Sequence, residues 1–392
     1  MKILIFGGGI SNLALIRLLK RLEISFDTLN QEEYYDYIVK PPGVKEVDCP
    51  KNGQLVTDIE MINILFKPEI IGITGTNGKT TTTLMIYEVL KSHIDVSLGG
   101  NIGIPFANIF EGNYKKYLLE LSSFELEFAK TLKPKIAVIL NCTKAHLDHH
   151  DTYKNYLNSK LNICKNQNYD DYLIYNYDDE NIKESVKNLS VNKLSFSLSN
   201  PNSNIYISDN KLIFKTNKID LDLIKYDTLF NLKNIMATIL VCDLYGIDIY
   251  EIIDVINNFI KPKYRLEKIT DNIYNDAKST NTYSTIEAVK ALGKVNLIIG
   301  GYDRGDDFTS LEECLDNILE CFIYGENRFK IYNFLKQYKV KCHLYKTLKN
   351  ATVEALKRNG IILYSPASAS FDQYSSYTER GLEFENIIKE RL

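Results

Sequence analysis

The stretch Gly72-Ile73-Thr74-Gly75-Thr76-Asn77-Gly78-Lys79-Thr80 constrains this chain more than any other. An apolar run, Ile70 to Thr74, leads into it, and a helical pattern from Thr81 to Leu90 follows. Strand, glycine turn and helix in that order open an α/β unit. The glycines let the backbone turn tightly and aim amides at phosphate oxygens. The helix start adds unpaired amides and a favourable dipole. Lys79 can reach the β and γ phosphates of a nucleotide, and the Thr80 hydroxyl can ligate Mg²⁺. Gly75, Thr76, Asn77, Gly78 and Thr81 complete the candidate nucleotide-binding set. The spacing departs from the general phosphate-loop pattern at Ile73, where a glycine is expected, and Gly75 follows instead. The loop does not choose between ATP and GTP.

A second glycine turn, Gly7-Gly8-Gly9-Ile10-Ser11-Asn12, follows the short apolar run Lys2 to Phe6. It is an incomplete dinucleotide fingerprint, because Asn12 stands where a small residue is expected. A phosphate contact and a plain tight turn both stay open. Asp27, at the end of an expected strand Ile24–Thr28, can accept from a ribose or uracil group. NAD chemistry is disfavoured by the better phosphate loop further along.

The chain has 392 residues, more than one hydrophobic core usually takes, and 45% of them are hydrophobic. Stops at Pro68 and Pro262 divide it into expected α/β domains at 1–68, 69–260 and 261–392. Later strands of the middle sheet are expected at 117–121, 136–140 and 172–175, with antiparallel strands within 191–226 and helices over 231–245 and 249–260. The last part alternates strands at 295–299, 321–324, 343–345 and 361–364 with helices, giving a mostly parallel sheet. The pattern from Val44 to Lys67 is weak.

The 47 basic and 50 acidic residues are interspersed, so no basic stripe invites a nucleic-acid backbone. Seven cysteines without a C-x-x-C spacing read as reduced thiols, and neither a signal peptide nor a membrane-spanning run is expected. A cytoplasmic protein with no nucleic-acid or membrane partner is the expectation.

Glu120, at the end of a strand, is a candidate Mg²⁺ ligand, since that ion wants oxygen donors. His146 lies in a polar loop after a strand and suits a second metal ligand or a phosphate contact. His149 and His150 read as solvated, and no zinc spacing completes them. Three later loops follow strands: Asp276-Ala277-Lys278-Ser279-Thr280-Asn281, Gly300-Gly301-Tyr302-Asp303-Arg304-Gly305 and Ser365-Pro366-Ala367-Ser368-Ala369-Ser370. Lys278 can face an anion, Thr280 and Asn281 can cap a helix, and Arg304 can pair bidentately with a carboxylate. Each alone can be a surface turn; together at strand ends they suggest a shared ligand cleft.

In this order, the 74–80 loop, Gly100-Asn101-Ile102-Gly103, Glu120-Leu121-Ser122-Ser123-Phe124, His146, Asn275 to Asn281 and Ser365 to Gln373 resemble the Mur ligase family of cell-wall synthesis. The resemblance covers nearly the whole chain. It implies a Rossmann-like N-terminal domain for a UDP sugar, a central phosphate-loop ATPase and a Rossmann-like C-terminal amino-acid domain. It implies Mg²⁺ ligation by Thr80, Glu120 and His146, and by Lys160 in carbamylated form. The bare sequence reads Lys160 as an ordinary helix-surface lysine. Lys79, Asn101, His146, Lys160 and Lys278 are the implied catalytic set. Asn231, Asn234, Arg265 and Asp276 are implied on the nucleotide side. Lys278, Thr280, Arg304, Ser370 and Tyr377 are implied around an incoming D-glutamate. Gly9, Ser11, Asp27, Thr28, Asn101 and Ser122 are implied around UDP-N-acetylmuramoyl-L-alanine.

The implied activity is ATP-dependent addition of D-glutamate to that acid through an acyl phosphate, by a monomer. The alternatives are another Mur-type or folylpolyglutamate-type amide ligase, or a nucleotide-binding regulator without catalysis. The sequence departs from the family pattern at Lys144-Ala145, where an acidic pair is usual. It departs again at Phe230 and Tyr264, usually histidines, and at Glu125, usually glutamine.

Overall fold

The structure is a computed structural model. It describes every residue except Gln31, Tyr226, Asp227, Lys261 and Leu392, and leaves out the side chains of Asp148 and Phe230. The Phe230 departure and the expected boundary at Lys261 therefore lie outside what is described. The chain forms two compact units, Met1–Phe259 and Ile260–Leu392.

The first unit contains two sheets. In the smaller, β1 (Ile3–Ile5), β2 (Tyr35–Val39) and β3 (Gly53–Val56) pair in parallel in that order. The strand expected over 24–28 is reduced to one bridge: Asp27 alone pairs with β1, its N donating to Ile3 O and its O accepting from Ile5 N, each at 2.8 Å. The weak 44–67 pattern conceals both β3 and the helix Asp58–Phe66. That helix buries Asp58, Glu60 and Asn63 along with its apolar residues, so no polar face marks it in the sequence.

The larger sheet holds β4 (Ile70–Thr74), β5 (Val96–Gly100), β6 (Lys116–Glu120), β7 (Ile136–Ile139), β8 (Tyr172–Asn176), β9 (Asn192–Phe196), β10 (Ile205–Ser208), β11 (Lys211–Phe214) and β12 (Asn217–Asp220). Its order is β12-β11-β10-β9-β8-β7-β4-β6-β5. Pairing is parallel from β5 to β10, and only β10, β11 and β12 run antiparallel, a smaller part of 191–226 than expected. Its five β4–β8 strands are nearly all enclosed, as a parallel sheet covered on both faces requires. One core packs the helices Lys79–Leu90, Leu229–Asp243 and Ile249–Asn257 on one face.

The second unit has one sheet: β13 (Glu267–Thr270), β14 (Ile273–Asn275), β15 (Val295–Gly300), β16 (Ile318–Tyr324), β17 (Cys342–Leu344) and β18 (Ile361–Tyr364). The order is β13-β14-β18-β15-β16-β17, parallel except for the β13–β14 hairpin. In both larger sheets the candidate residues sit just beyond the C-terminal ends of strands, where an open α/β sheet binds ligands.

Candidate active site

Gly78 takes φ +83° as N-cap of the helix Lys79–Leu90, a conformation that glycine adopts without a Cβ penalty. The loop is pinned to the end of β7. Asn141 O accepts from Thr76 N (2.9 Å), and its side chain accepts from Asn77 N (2.9 Å) and donates to Asn77 O (3.0 Å). Thr76 Oγ1 accepts from Tyr156 Oη (3.1 Å) and from Thr143 N (3.0 Å).

Lys79 Nζ donates to Gly75 O (2.8 Å) and Thr76 O (3.0 Å). Lys160 Nζ donates to the same Gly75 O at 2.8 Å. Lys160 is 1% exposed, so its surface-lysine reading is wrong: it lies in the interior, its Nζ also 4.6 Å from the Tyr156 ring centroid. Burial, and then the charge of Lys79, hold its pKa well below the ordinary lysine value. Two full ammonium groups on one carbonyl would repel; a neutral Lys160 amine removes the conflict.

Glu120 ends β6 beside β4, paired with Ile73, and is 2% exposed. Its Oε1 accepts from Asn101 Nδ2 (3.0 Å), while its buried Oε2 has no hydrogen-bond partner. A buried carboxylate oxygen without a donor costs free energy unless something else compensates it. An oxygen-seeking divalent cation is such a partner, so the residues fit Mg²⁺. Asn101 is thereby brought onto Glu120. Thr80 lies in the first turn of the loop helix and Thr81 is buried one residue on.

His146 has φ +55° as N-cap of the short helix Leu147–His150, and its ring packs edge-on against Phe124 at 4.9 Å. His149 and His150 are not solvated as expected. His150 is 3% exposed, with Nε2 3.0 Å from Ser123 Oγ, and His149 Nε2 lies 2.8 Å from Glu127 Oε2. Phe124 supplies the apolar surface that draws both rings inward. Lys144 is exposed.

Ser122 caps the helix Ser123–Leu126 in a capping box with Glu125, whose Oε2 accepts from Ser122 N (2.6 Å) and Ser122 Oγ (2.7 Å). Ser122 is thus committed to local structure.

In the smaller sheet, Gly9 is the N-cap of the helix Ile10–Arg21 and Ser11 lies in its first turn. Asn12 closes the turn itself, donating to Phe6 O at 2.9 Å. Asp27 Oδ2 accepts from Tyr35 Oη (2.9 Å), and Thr28 follows in a bend. Asn234 donates to Asn231 Oδ1 (3.2 Å) on the helix Leu229–Asp243.

In the second unit, Lys278 Nζ lies 3.9 Å from the Tyr377 ring centroid, and Arg304 Nη2 donates to Thr280 O at 2.9 Å. Asn281, not Thr280, caps the helix Thr282–Leu292 by accepting from Ser284 N (3.0 Å). Ser370 is buried in the third loop. Asp276 accepts from Leu266 N (3.0 Å) and Ser365 Oγ (2.7 Å); burial raises its pKa to about 6 against these bonds. Arg265 is half-buried just before β13, and Tyr264 packs on Gly381. The structure thus gathers Lys79, Asn101, Glu120 and Lys160 in the first unit, and Lys278, Thr280, Arg304 and Tyr377 in the second. The sequence reading missed Arg380, a fully buried arginine between the second unit's loops.

A family description, the Mur ligase middle domain, matches residues 73–242. The UDP-N-acetylmuramoylalanine--D-glutamate ligase of Oenococcus oeni is 35% identical over 425 residues, covering 100% of this chain and 97% of that protein. That of Staphylococcus epidermidis is 36% identical, covering 91% and 83%. Among solved structures, the MurF ligase of Thermotoga maritima in complex with ADP superposes with a TM-score of 0.65 at 18% identity, covering 100% of this chain and 95% of that one. With strand-end loops of this kind and such relatives along its whole length, the chain belongs to the Mur ligase family.

Proposed function

We propose that this chain joins the L-alanyl carboxylate of UDP-N-acetylmuramoyl-L-alanine to the amine of D-glutamate, using ATP. The reading rests above all on one observation: Lys79 and Lys160 converge on Gly75 O beside a buried Glu120 oxygen that lacks a donor. It is supported by the relatives, which carry that activity in their names over 81–97% of their own lengths. The division of labour follows the three expected segments: 1–68 for the UDP sugar, 69–260 for ATP and 261–392 for the amino acid.

In the reaction, the substrate carboxylate attacks the γ phosphorus of ATP and ADP leaves, giving an acyl phosphate. The amine of D-glutamate then attacks the carbonyl, and the tetrahedral adduct expels phosphate as the amide forms. Lys79 and the loop amides offset charge on the transferring phosphoryl group. Asn101 holds the Glu120 carboxylate in place. Thr80, Glu120, His146 and carbamylated Lys160 are the residues that would hold Mg²⁺, which supplies positive charge to the phosphates when bound. A neutral buried lysine amine is the form that can add CO₂, and the depressed pKa of Lys160 favours it. Lys278 and Arg304 offer cations, and the loop of the buried Ser370 a hydroxyl, to the carboxylates of glutamate.

Among the described residues no helix is long and apolar enough to cross a membrane, and all seven cysteines are free. Free thiols fit a reducing compartment such as the cytoplasm. The test is ADP release with UDP-N-acetylmuramoyl-L-alanine, ATP and Mg²⁺, comparing D-glutamate with L-glutamate, L-alanine and diaminopimelate. D-Glutamate alone should stimulate release and yield a product heavier by one glutamyl unit. Stimulation by another amino acid instead reassigns the substrate, and ATP binding without any product reassigns the chain to a regulator.

A further inference from the structure

The largest fully buried side chain among the described residues is that of Arg380, on the helix Tyr377–Lys389. Its two terminal nitrogens are spent on backbone, while the buried Nε has no hydrogen-bond partner. Nη1 donates to Ala369 O (2.9 Å), and Nη2 donates to Ser368 O (2.9 Å) and Ala277 O (3.0 Å). Ala277 lies in the loop after β14, and Ser368 and Ala369 in the loop after β18. The loop after β15 joins the same point, for Tyr302 N donates to Ala369 O at 3.0 Å. Gly301 makes room there: a Cβ on it would stand 3.2 Å from Arg380 Nη1 and 2.4 Å from Ala369 O.

Two loops therefore end on one planar cation, and the third is bonded to a carbonyl that the cation holds. Its N–H groups point in fixed directions, so they dictate where each carbonyl must lie, which a lysine's single point charge does not do. Ala367 holds φ +53°, a left-handed conformation that costs a non-glycine residue energy. That turn lets the next two carbonyls face inward, and the guanidinium compensates it. Burial works against the charge of Arg380, but the electrostatic influence of Tyr364, Tyr324 and Asp372 outweighs this and keeps its pKa above the ordinary arginine value.

Each loop carries a candidate amino-acid contact close to the residue held. Lys278 follows Ala277, Arg304 lies three residues beyond Gly301, and Ser370 follows Ala369. Tyr377, whose ring meets Lys278, stands one turn before Arg380 on the same helix. We propose that Arg380 is a positioning residue for the amino-acid substrate, fixing Lys278, Arg304 and Ser370 relative to one another through the carbonyls of Ala277, Ser368 and Ala369. The inference rests on the function proposed above and deepens it.

Steady-state kinetics of Arg380→Lys against the wild type test it. The KM for D-glutamate should rise about tenfold or more as the forked donor is lost, while the KM for the UDP-linked acid stays within about twofold. A role in stability alone would lower the active fraction, and hence kcat, and leave both KM values unchanged; that result overturns the proposal. If the variant does not fold, hydrogen exchange in the wild type decides. The amides of Lys278, Gly300 and Tyr302, bonded to Tyr264 O, Pro366 O and Ala369 O, should open with one shared free energy. Opening constants spread over more than about tenfold would show three independent loops and reject the idea. Failure of the wild type to use D-glutamate strikes instead at the proposed function, and the exchange result is independent of it.

Discussion

Glu125 is enclosed beside Asp58 and Glu120, and its carboxyl is pushed up to about 8, first by burial and then by the charge of Asp58. Hydrogen bonds from Ser122 oppose the shift without cancelling it. An unfolded glutamate titrates near ~4.3. Between that value and about 8 the native state holds a proton that the unfolded state has released. The contribution of Glu125 is therefore fully present below the unfolded pKa and is lost as pH rises through the folded one. Glu125→Gln keeps a neutral group of the same shape. It should raise the unfolding free energy at pH 7 by on the order of 3 kcal/mol and flatten the decline from pH 6 to 8. Urea titrations at pH 5, 7 and 9 check this; parallel pH profiles for wild type and variant would rule it out. Lys160 makes a second case at this scale. Equilibration with ¹³C-labelled bicarbonate should give a carbamate resonance in the wild type and none in Lys160→Arg, which should also lose nearly all activity. A label-free wild type with full activity would remove carbamylation from the account.

The elements that the sequence revealed are those whose burial is continuous. β4, β7, β15 and β18 are apolar runs bounded by turns, and all four stand where expected. β5 escaped because Val96-Ser97-Leu98-Gly99-Gly100 looks like a turn. Its glycines have another cause: a Cβ on Gly100 would lie 2.3 Å from Glu120 O, and one on Gly99 would lie 2.7 Å from Ile109 Cδ1. The strand must come that close to carry Asn101 onto the Glu120 carboxylate. The phosphate loop was legible because its chemistry is local, four or five residues around one helix start. The residues alone did not single out Lys160, which the family resemblance supplied, or Arg380, because what distinguishes both is enclosure by residues distant in sequence, such as Gly75 and Ala277. Gly100→Ala combines positive φ with a backbone clash and should cost on the order of 3 kcal/mol. It should also raise the Mg²⁺ concentration that turnover needs, by displacing Asn101 from Glu120. Thermal denaturation and a Mg²⁺ titration read the two effects, and an unchanged metal requirement would separate Gly100 from the site.

At the scale of the molecule, the cores mark the units that can stand alone. Both hydrophobic clusters of the second unit draw their members only from Tyr264 onward, one on each face of its sheet. The cluster under the smaller sheet differs. Ile3, Leu15, Val39, Ile59 and Ile62 share it with Phe106, Leu119, Leu126 and Ala129, so this core runs across Pro68 without a break. Asp58 and Glu60 are buried in the same region, and Glu60 accepts from Leu132 N at 3.1 Å. Cutting at Pro68 would expose apolar surface on both sides and strip that carboxylate of its donor. A fragment of about 130 residues starting at Pro262 has a complete core and should melt cooperatively on its own. The fragment 1–68 should not, because a chain of roughly 70 residues has little surplus stability and this one lends part of its core to its neighbour. Circular dichroism melts and amide proton dispersion of the two fragments compare them directly. A cooperative transition in 1–68 would mean that the packing against Phe106 and Leu126 is dispensable, and that this segment can fold before the rest of the first unit is made.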